Sequence, residues 1–541
     1  MQTLPWLTIL IVVPLAASAV LWLVPQLRRV AQPVALAVSL VVLAGAVVMA
    51  TQFDVARAGT QQLTELTPWI PALGVSYALG VNGLGLVMVL LSAFLVPIVL
   101  LSSWRDPSGA PQAPDEEPAD RDRRRAGYVA LVLALEAMMI GVFAARDVVL
   151  FYVLFEAMLV PVYFLIGLYG GPRRRYAAVK FLIYSLVGGL VMLAAVVVLY
   201  TQGPGGPEGF LIDTLTGLTF APWVERLLFL GFFLAFAVKA PMWPVHTWLP
   251  DAAQNATPGT STLLVGVLDK VGTFGMIALC IPLFPAAAQW AAPVIVGLAL
   301  VSIIYGGLVA IGQSDLMRLV AYTSVSHFGF IVLGIFVFTT TATTGSALYM
   351  LAHGLSTGAL FLVGGMLTTR GGTQEIDAYG GLQKVMPLLA GAFLVAGLAS
   401  IALPGLSGFV PELLVVIGTY ARSAAIGIIA TAGVIIAALY ILLPYQRIFT
   451  GPRLDRLASL PDLGVRERWV VAPLVAAMLA LGFYPAPALD LLTPVAEETV
   501  ATVDVADPSQ DAAAALPSGT EPAPSSSTRD AHAGAVEGSD L

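Results

Sequence analysis

Cysteine occurs once in this chain, at position 280, so no disulfide and no cysteine-ligated iron–sulfur cluster can form within it. Histidine is nearly as scarce. Three of the four histidines, His246, His327 and His353, fall in apolar segments, one short of the four ligands that two bis-histidine haems require. There is no phosphate-cradling Gly-rich loop, no dinucleotide fingerprint and no nucleophile motif. Charge is also rare. Asp, Glu, Lys and Arg make up only 11% of the 541 residues, against 58% apolar residues. That balance excludes a soluble globular enzyme, and nothing in it suggests nucleic-acid binding. No cofactor is expected in this chain; any redox group it serves lies in other chains.

What is present is a series of long apolar runs. Segments near 20 residues match a bilayer core of about 30 Å. Fourteen can be placed, at 4–24, 33–50, 82–103, 127–145, 147–169, 177–200, 227–249, 259–282, 291–312, 316–339, 343–368, 386–418, 424–448 and 468–490. The expected fold class is therefore an all-α polytopic membrane protein. The first run has no preceding basic residue and no clear small-residue cleavage site before Arg28, so it reads as a retained span rather than a signal peptide. Eighteen basic residues, among them Arg28, Arg105, Arg121, Arg173 to Arg175, Arg318, Arg370, Arg447 and Arg466, fall on one side of the resulting topology. Only Arg57, Arg146, Arg226, Arg422 and Arg529 fall on the other. The Arg-rich face is cytoplasmic by the positive-inside rule, which puts both termini outside. The acidic stretch 496–541, rich in Ala, Pro, Ser and Asp, is expected to be disordered, and the polar loop from Arg105 to Arg125 to be mobile.

Two runs look broken, and each carries charge at the break. Lys239 precedes Ala240-Pro241-Met242-Trp243-Pro244, and Glu412 follows Leu403-Pro404-Gly405-Leu406-Ser407-Gly408. Irregular backbone is tolerated at membrane depth only where it is buried or lines a wet cavity. A charge there costs about 2.5–3.5 kcal/mol on insertion scales, so it needs a reason. Further ionisable groups lie in the runs: Glu156, Lys270 beside Asp269, His327 and His353. Glu136 and Asp147 lie nearer a span end or a short loop. Lys180 is close enough to Arg173-Arg174-Arg175 to snorkel. Asp269 either neutralises Lys270 or takes part in function. Burial lowers a lysine's proton affinity and a nearby carboxylate raises it, so a changing Glu156–Lys239 distance would let Lys239 take up and release a proton. Histidine suits onward transfer.

Glu156 and His327 lie 171 positions apart, and Lys239 and Glu412 lie 173 apart. Two five-helix units would give such an offset, and an odd helix count makes the units inverted. The expected division is 1–126, three helices and a polar loop; 127–282 and 291–450, the two units, each a proton half-channel; 467–495, a last membrane helix; and 496–541, the tail.

Several segments in order resemble one family. They are Phe155-Glu156-Ala157-Met158-Leu159-Val160-Pro161, Val238-Lys239-Ala240-Pro241, and His246-Thr247-Trp248-Leu249-Pro250-Asp251-Ala252. To these add the stretch from Arg318 through His327 and the stretch from His353 to Phe361. Together they are similar to the antiporter-like subunits of complex I, the proton-pumping NADH:quinone oxidoreductase, over about spans 4 to 13. The length and the Leu403…Glu412 segment look most like the M-type members. The resemblance implies a proton-translocating subunit of a bacterial plasma-membrane respiratory enzyme, without a redox cofactor, driven by quinone reduction elsewhere. It implies membrane-arm neighbours of the L and N types, with lipids and protons as the other partners. Residue by residue, it implies that Lys239 is the central proton carrier and Glu156 its tuning carboxylate. Lys270, His327 and His353 would be the internal relay and Glu412 the terminal acid. The chain departs from the pattern at three places: Ala253-Gln254-Asn255 stands where a His and an acid are usual, Asp269 where an apolar residue is, and Pro411 where Gly is common. Two other readings fit the motifs or the composition: a subunit of a multi-subunit cation/proton antiporter or membrane-bound hydrogenase, and a structural membrane module without transport.

Overall fold

A computed structural model describes residues 4–104 and 117–508. The tail beyond residue 508 and most of the loop expected to be mobile lie outside the described residues. Among the described residues, eleven helices are long and apolar enough to cross a bilayer. The number is twelve if Val465–Phe483 and Ala486–Thr502, bent by 68°, make one span. The number falls short of fourteen for physical reasons. Pro222–Lys239 carries Glu225, Arg226 and Lys239, and the run 386–418 is split into Pro387–Ser400 and Phe409–Arg422, each 14 residues long.

The helices differ widely in how far they are buried. Pro258–Leu283, Leu316–Phe336 and Thr340–Gly371 are 94%, 100% and 94% buried, with mean hydropathies of 1.8, 1.8 and 1.5. Ala424–Phe449, at 2.6, is only 33% buried. Apolarity alone does not set burial, since Gly83–Ser102, at 2.9, is 83% buried; the polar side chains collect inside, where partners exist. Small residues such as Gly345, Ser346, Gly354, Ser356 and Gly358 let the inner helices approach closely.

Both expected breaks are present. After Lys239 the helix stops. Two of the groups at the break are paired: the Trp248 indole Nε1 donates to Val238 O at 2.9 Å, and Trp243 N donates to Ser302 Oγ at 2.9 Å. In the second break, Ala402 and Gly405 take positive φ, 57° and 87°, and the helix resumes at Phe409. Pro411 lies in the first turn of that helix, where the missing N–H breaks no intrahelical bond.

Other features were not expected. Gln62–Ile70 and Val75–Val81 pair as an antiparallel hairpin on the Arg-poor face. Glu65 from this hairpin accepts hydrogen bonds from Leu7 N at 2.8 Å and Thr8 N at 3.2 Å, capping the first helix. The helix Pro118–Ala144 begins inside the loop that was expected to be mobile, with Pro118 at its first position and Asp120 in its first turn. Residues 496–502, expected in the disordered tail, are the end of Ala486–Thr502; Val495, Ala496, Thr499 and Val500 bury one face of that helix, which outweighs the acidic composition.

Candidate functional site

The helix that carries Lys270 is irregular on both sides of it. Leu264–Leu268 and Met276–Cys280 are π turns flanking Lys270–Gly275. A π turn shifts the hydrogen-bond register by one residue and recurs at functional sites. Here Asp269 N bonds Leu264 O, and Val265 O accepts from Lys270 Nζ at 2.5 Å. The same ammonium lies 2.6 Å from His353 Nδ1 and 5.1 Å from the centre of the Phe328 ring.

From Lys270 the contacts continue across the interior. The His353 and His327 ring centres are 5.2 Å apart. His327 Nδ1 is 2.8 Å from Tyr349 Oη, and Tyr349 Oη donates to Glu412 Oε2 at 2.6 Å. The other His327 nitrogen, Nε2, meets Ser400 Oγ at 3.0 Å and Tyr440 Oη at 3.2 Å. Lys270, His327, His353 and Glu412 are all at most 3% exposed. Four of the residues named from sequence are therefore brought into one row. Tyr349 supplies the link between His327 and Glu412, and nothing in the sequence marks it out from the other tyrosines.

Lys239 forms a separate pole. It is 1% exposed, and its ammonium has no hydrogen-bond partner among the described residues. It rests 4.6 Å from the Phe155 ring centre and 5.9 Å from that of Phe181. Such cation–π contacts reach about 2 kcal/mol when desolvated. Glu156 and Asp269 are the carboxylates whose fields act on it. Glu156, in Val148–Ala157, lies directly over Gly189, where any Cβ would collide with its carboxylate. Gly272 likewise admits the Lys239 break: a Cβ there would lie 2.7 Å from Ala240 N. Asp269 is fully buried, neither of its oxygens has a hydrogen-bond partner among the described residues, and it acts electrostatically on both Lys239 and Lys270. It does not hydrogen-bond Lys270; its charge acts on both lysines.

Other ionisable residues resolve differently. Asp147 caps a helix, accepting from Ser76 N, Val149 N and Leu150 N at 2.8–3.1 Å. Lys180 does not simply snorkel: its ammonium is 2.6 Å from Asp251, which also meets Arg318 at 2.5 Å. Burial pushes the Asp251 carboxyl up, but the hydrogen bonds from Lys180 and Arg318 prevail and hold it below its ordinary value. In the departing stretch Ala253-Gln254-Asn255, Gln254 Nε2 donates to Asp315 at 2.9 Å, and Asn255 O accepts from Gly171 N at 2.6 Å. That stretch is a structural junction. His246 is buried against Tyr305, with ring centres 5.3 Å apart. Glu136, within Pro118–Ala144, is 0% exposed, with neither carboxylate oxygen hydrogen-bonded among the described residues. No group of three or more His, Cys, Asp or Glu placed to hold a metal occurs among the described residues.

A family model described as "NADH:quinone oxidoreductase/Mrp antiporter, TM" matches residues 145–438. The chain is 47% identical to "NADH-quinone oxidoreductase subunit M" of Mycobacterium tuberculosis, over 96% of this chain and 98% of that one. It is 39% identical to the protein of the same name from Rhodobacter capsulatus, over 90% and 95%. Among solved structures it is similar to a chain of respiratory complex I from Thermus thermophilus, with a TM-score of 0.82 and 31% identity, covering 92% of this chain and 100% of that one. A chain of the Mrp complex from Dietzia sp. DQ12-45-1b gives a TM-score of 0.80 at 22% identity, covering 93% and 100%, which is a likeness of fold alone.

Proposed function

The chain belongs to the family of NADH:quinone oxidoreductase and Mrp antiporter transmembrane subunits, and on that premise we propose that it is the M-type, proton-translocating membrane-arm subunit of a respiratory NADH:quinone oxidoreductase. It carries out no redox chemistry itself; quinone reduction in other subunits drives it. The observation that carries the reading is the buried row Lys270, His353, His327, Tyr349, Glu412, whose members can each hold or pass a proton.

In this reading Lys239 is the central carrier, tuned by Glu156. Asp269 couples it electrostatically to Lys270, the histidines relay the proton, and Glu412 delivers it. Counting Pro222–Lys239, the broken pair Pro387–Ser400 with Phe409–Arg422, and the bent C-terminal pair as three further spans gives fourteen. The repeated offset of Glu156 to His327 and Lys239 to Glu412 supports two inverted five-helix units at 127–282 and 291–450. The Arg asymmetry supports a bacterial plasma-membrane topology with both termini outside the cytoplasm. L-type and N-type subunits are the expected neighbours.

A cation/proton antiporter subunit is the nearest alternative. The identities of 47% and 31% to NADH:quinone oxidoreductase chains, against 22% to the Mrp chain, weigh against it. A purely structural module is opposed by the cost of so many buried ionisable groups. The deciding experiment is purification of this chain from its native membrane in mild detergent with identification of its companions. Flavin and iron–sulfur subunits with NADH:quinone activity are expected; small hydrophobic partners without a redox chain would overturn the assignment.

A further inference from the structure

The relay leaves one buried carboxylate and one large cavity unused, and the helix that carries the carboxylate, Pro118–Ala144, also lines the cavity. On the Arg-poor face, the hairpin, the segment before Asp147, the segment 212–216 and the C-terminal helix surround a cavity of about 530 Å³. That volume holds on the order of ten waters. Its walls are mixed: Thr60, Asn82, Asp213, Glu498 and Thr499 line it, with Arg146, which is paired with Asp213, and apolar residues such as Leu84 and Val495 complete it. Its inner end includes Phe143 and Phe274, whose rings meet edge to face with centres 5.2 Å apart. Ile277 and Ala278, on the second π turn, line it as well.

What lies beneath this pair is chemically active. Phe274 is one helical turn beyond Lys270 on the same short helix. Phe143 is seven residues beyond Glu136, two turns on the same face, or about 10 Å along the axis. Both helices run toward the cavity, and they pack against each other. Glu136 is fully buried with neither oxygen hydrogen-bonded among the described residues, an arrangement costly enough to need a reason. An aromatic pair between a vestibule and a buried acid is a barrier to water that a modest ring movement removes. The π turns bounding Lys270–Gly275 give that segment a way to rotate, because transferring the extra residue from one end to the other turns it by about 100°.

We propose that this cavity is a water-filled vestibule on the Arg-poor face, that Phe143 and Phe274 form its gate, and that Glu136 is the first proton-binding group beneath it. The vestibule gives the Lys239–Lys270 region its own gated exchange with that side of the membrane, separate from the Glu412 end. The inference deepens the proton-translocating reading and rests on it for direction, but the vestibule itself can be probed without NADH.

The test uses the assembled complex in a Cys280→Ala background, which removes the chain's single thiol. Ala278→Cys is treated with a membrane-impermeant methanethiosulfonate in vesicles of each orientation. Labelling only from the Arg-poor face is expected; protection from both faces overturns the vestibule. Passive proton leak is then measured without substrate. Phe274→Ala, with Phe143→Ala as the second variant should the first fail to assemble, is expected to raise the leak. Adding Glu136→Gln should abolish the rise, while Glu136→Asp should retain it. An unchanged leak in the opened variants overturns the gate, and a leak that survives Glu136→Gln removes Glu136 from the route. Loss of pumping with normal labelling and leak would count against the translocating reading alone.

Discussion

Replacing Tyr349 with Phe removes one oxygen and almost no volume, yet that oxygen joins the histidines to Glu412. It sits 2.8 Å from His327 Nδ1 and donates to Glu412 Oε2 at 2.6 Å. Without it, the span between nitrogen and carboxylate is bridged by nothing, since Glu412 Oε1 also has no partner among the described residues. A hydrogen bond to a charged group contributes about 1.5–3 kcal/mol. If that loss falls on the transfer step, at about 1.4 kcal/mol per tenfold, transfer slows by roughly ten- to a hundredfold. The assay is NADH:quinone turnover together with proton uptake by a pH-sensitive dye in reconstituted vesicles. Assembly should be intact, since the ring still fills its site. Coupled turnover should fall, and an uncoupler should not restore it. A Tyr349→Phe complex with unchanged turnover and an unchanged proton-to-electron ratio would refute the role given to this oxygen.

Other outcomes follow from the same geometry. Glu156→Gln should lower pumping far more than Glu156→Asp, because the role rests on charge beside Lys239; equal effects in a pumping assay would contradict it. Asp147→Ala should cost about 1 kcal/mol of stability through loss of a helix cap, seen as a lower Tm, with the proton-to-electron ratio unchanged. Asp251→Asn should loosen the Lys180–Asp251–Arg318 junction, measured as lower thermal stability of the complex. Because Asp251 is held below its ordinary value, the stability it contributes is present at neutral pH and is lost as pH falls through its folded value, below about pH 4. A wild-type/Asp251→Asn stability difference that persists at lower pH would contradict that sign.

The two broken helices were legible because each combines a Pro/Gly run with a charge that lipid would not tolerate, at Lys239 and at Glu412. The buried row was legible except for one member. Lys270, His327, His353 and Glu412 announce themselves as ionisable residues in apolar runs. Tyr349 does not, because tyrosine is unremarkable in a membrane helix and its partners lie 22 and 63 residues away. The π turns leave no trace in composition, since they are a hydrogen-bond register and not a residue type. The hairpin at 62–81 was hidden by Pro68 and by the lack of a tight-turn dipeptide. In sequence, Asp147 and Glu136 look alike, acids nearer a span end or a short loop, yet the first caps a helix and the second is fully buried. Only three-dimensional packing separates the two. Residues 496–502 read as tail because Glu497 and Glu498 follow directly; the buried face that keeps them helical belongs to a surface supplied by other helices.

In the proposed function Lys239 is the group that carries the proton. The most direct measurement is the proton-to-electron ratio of an assembled Lys239→Ala complex during NADH:quinone turnover in sealed vesicles. A ratio well below that of the native complex, or loss of coupled pumping altogether, is expected. A native ratio in an assembled Lys239→Ala complex would contradict it.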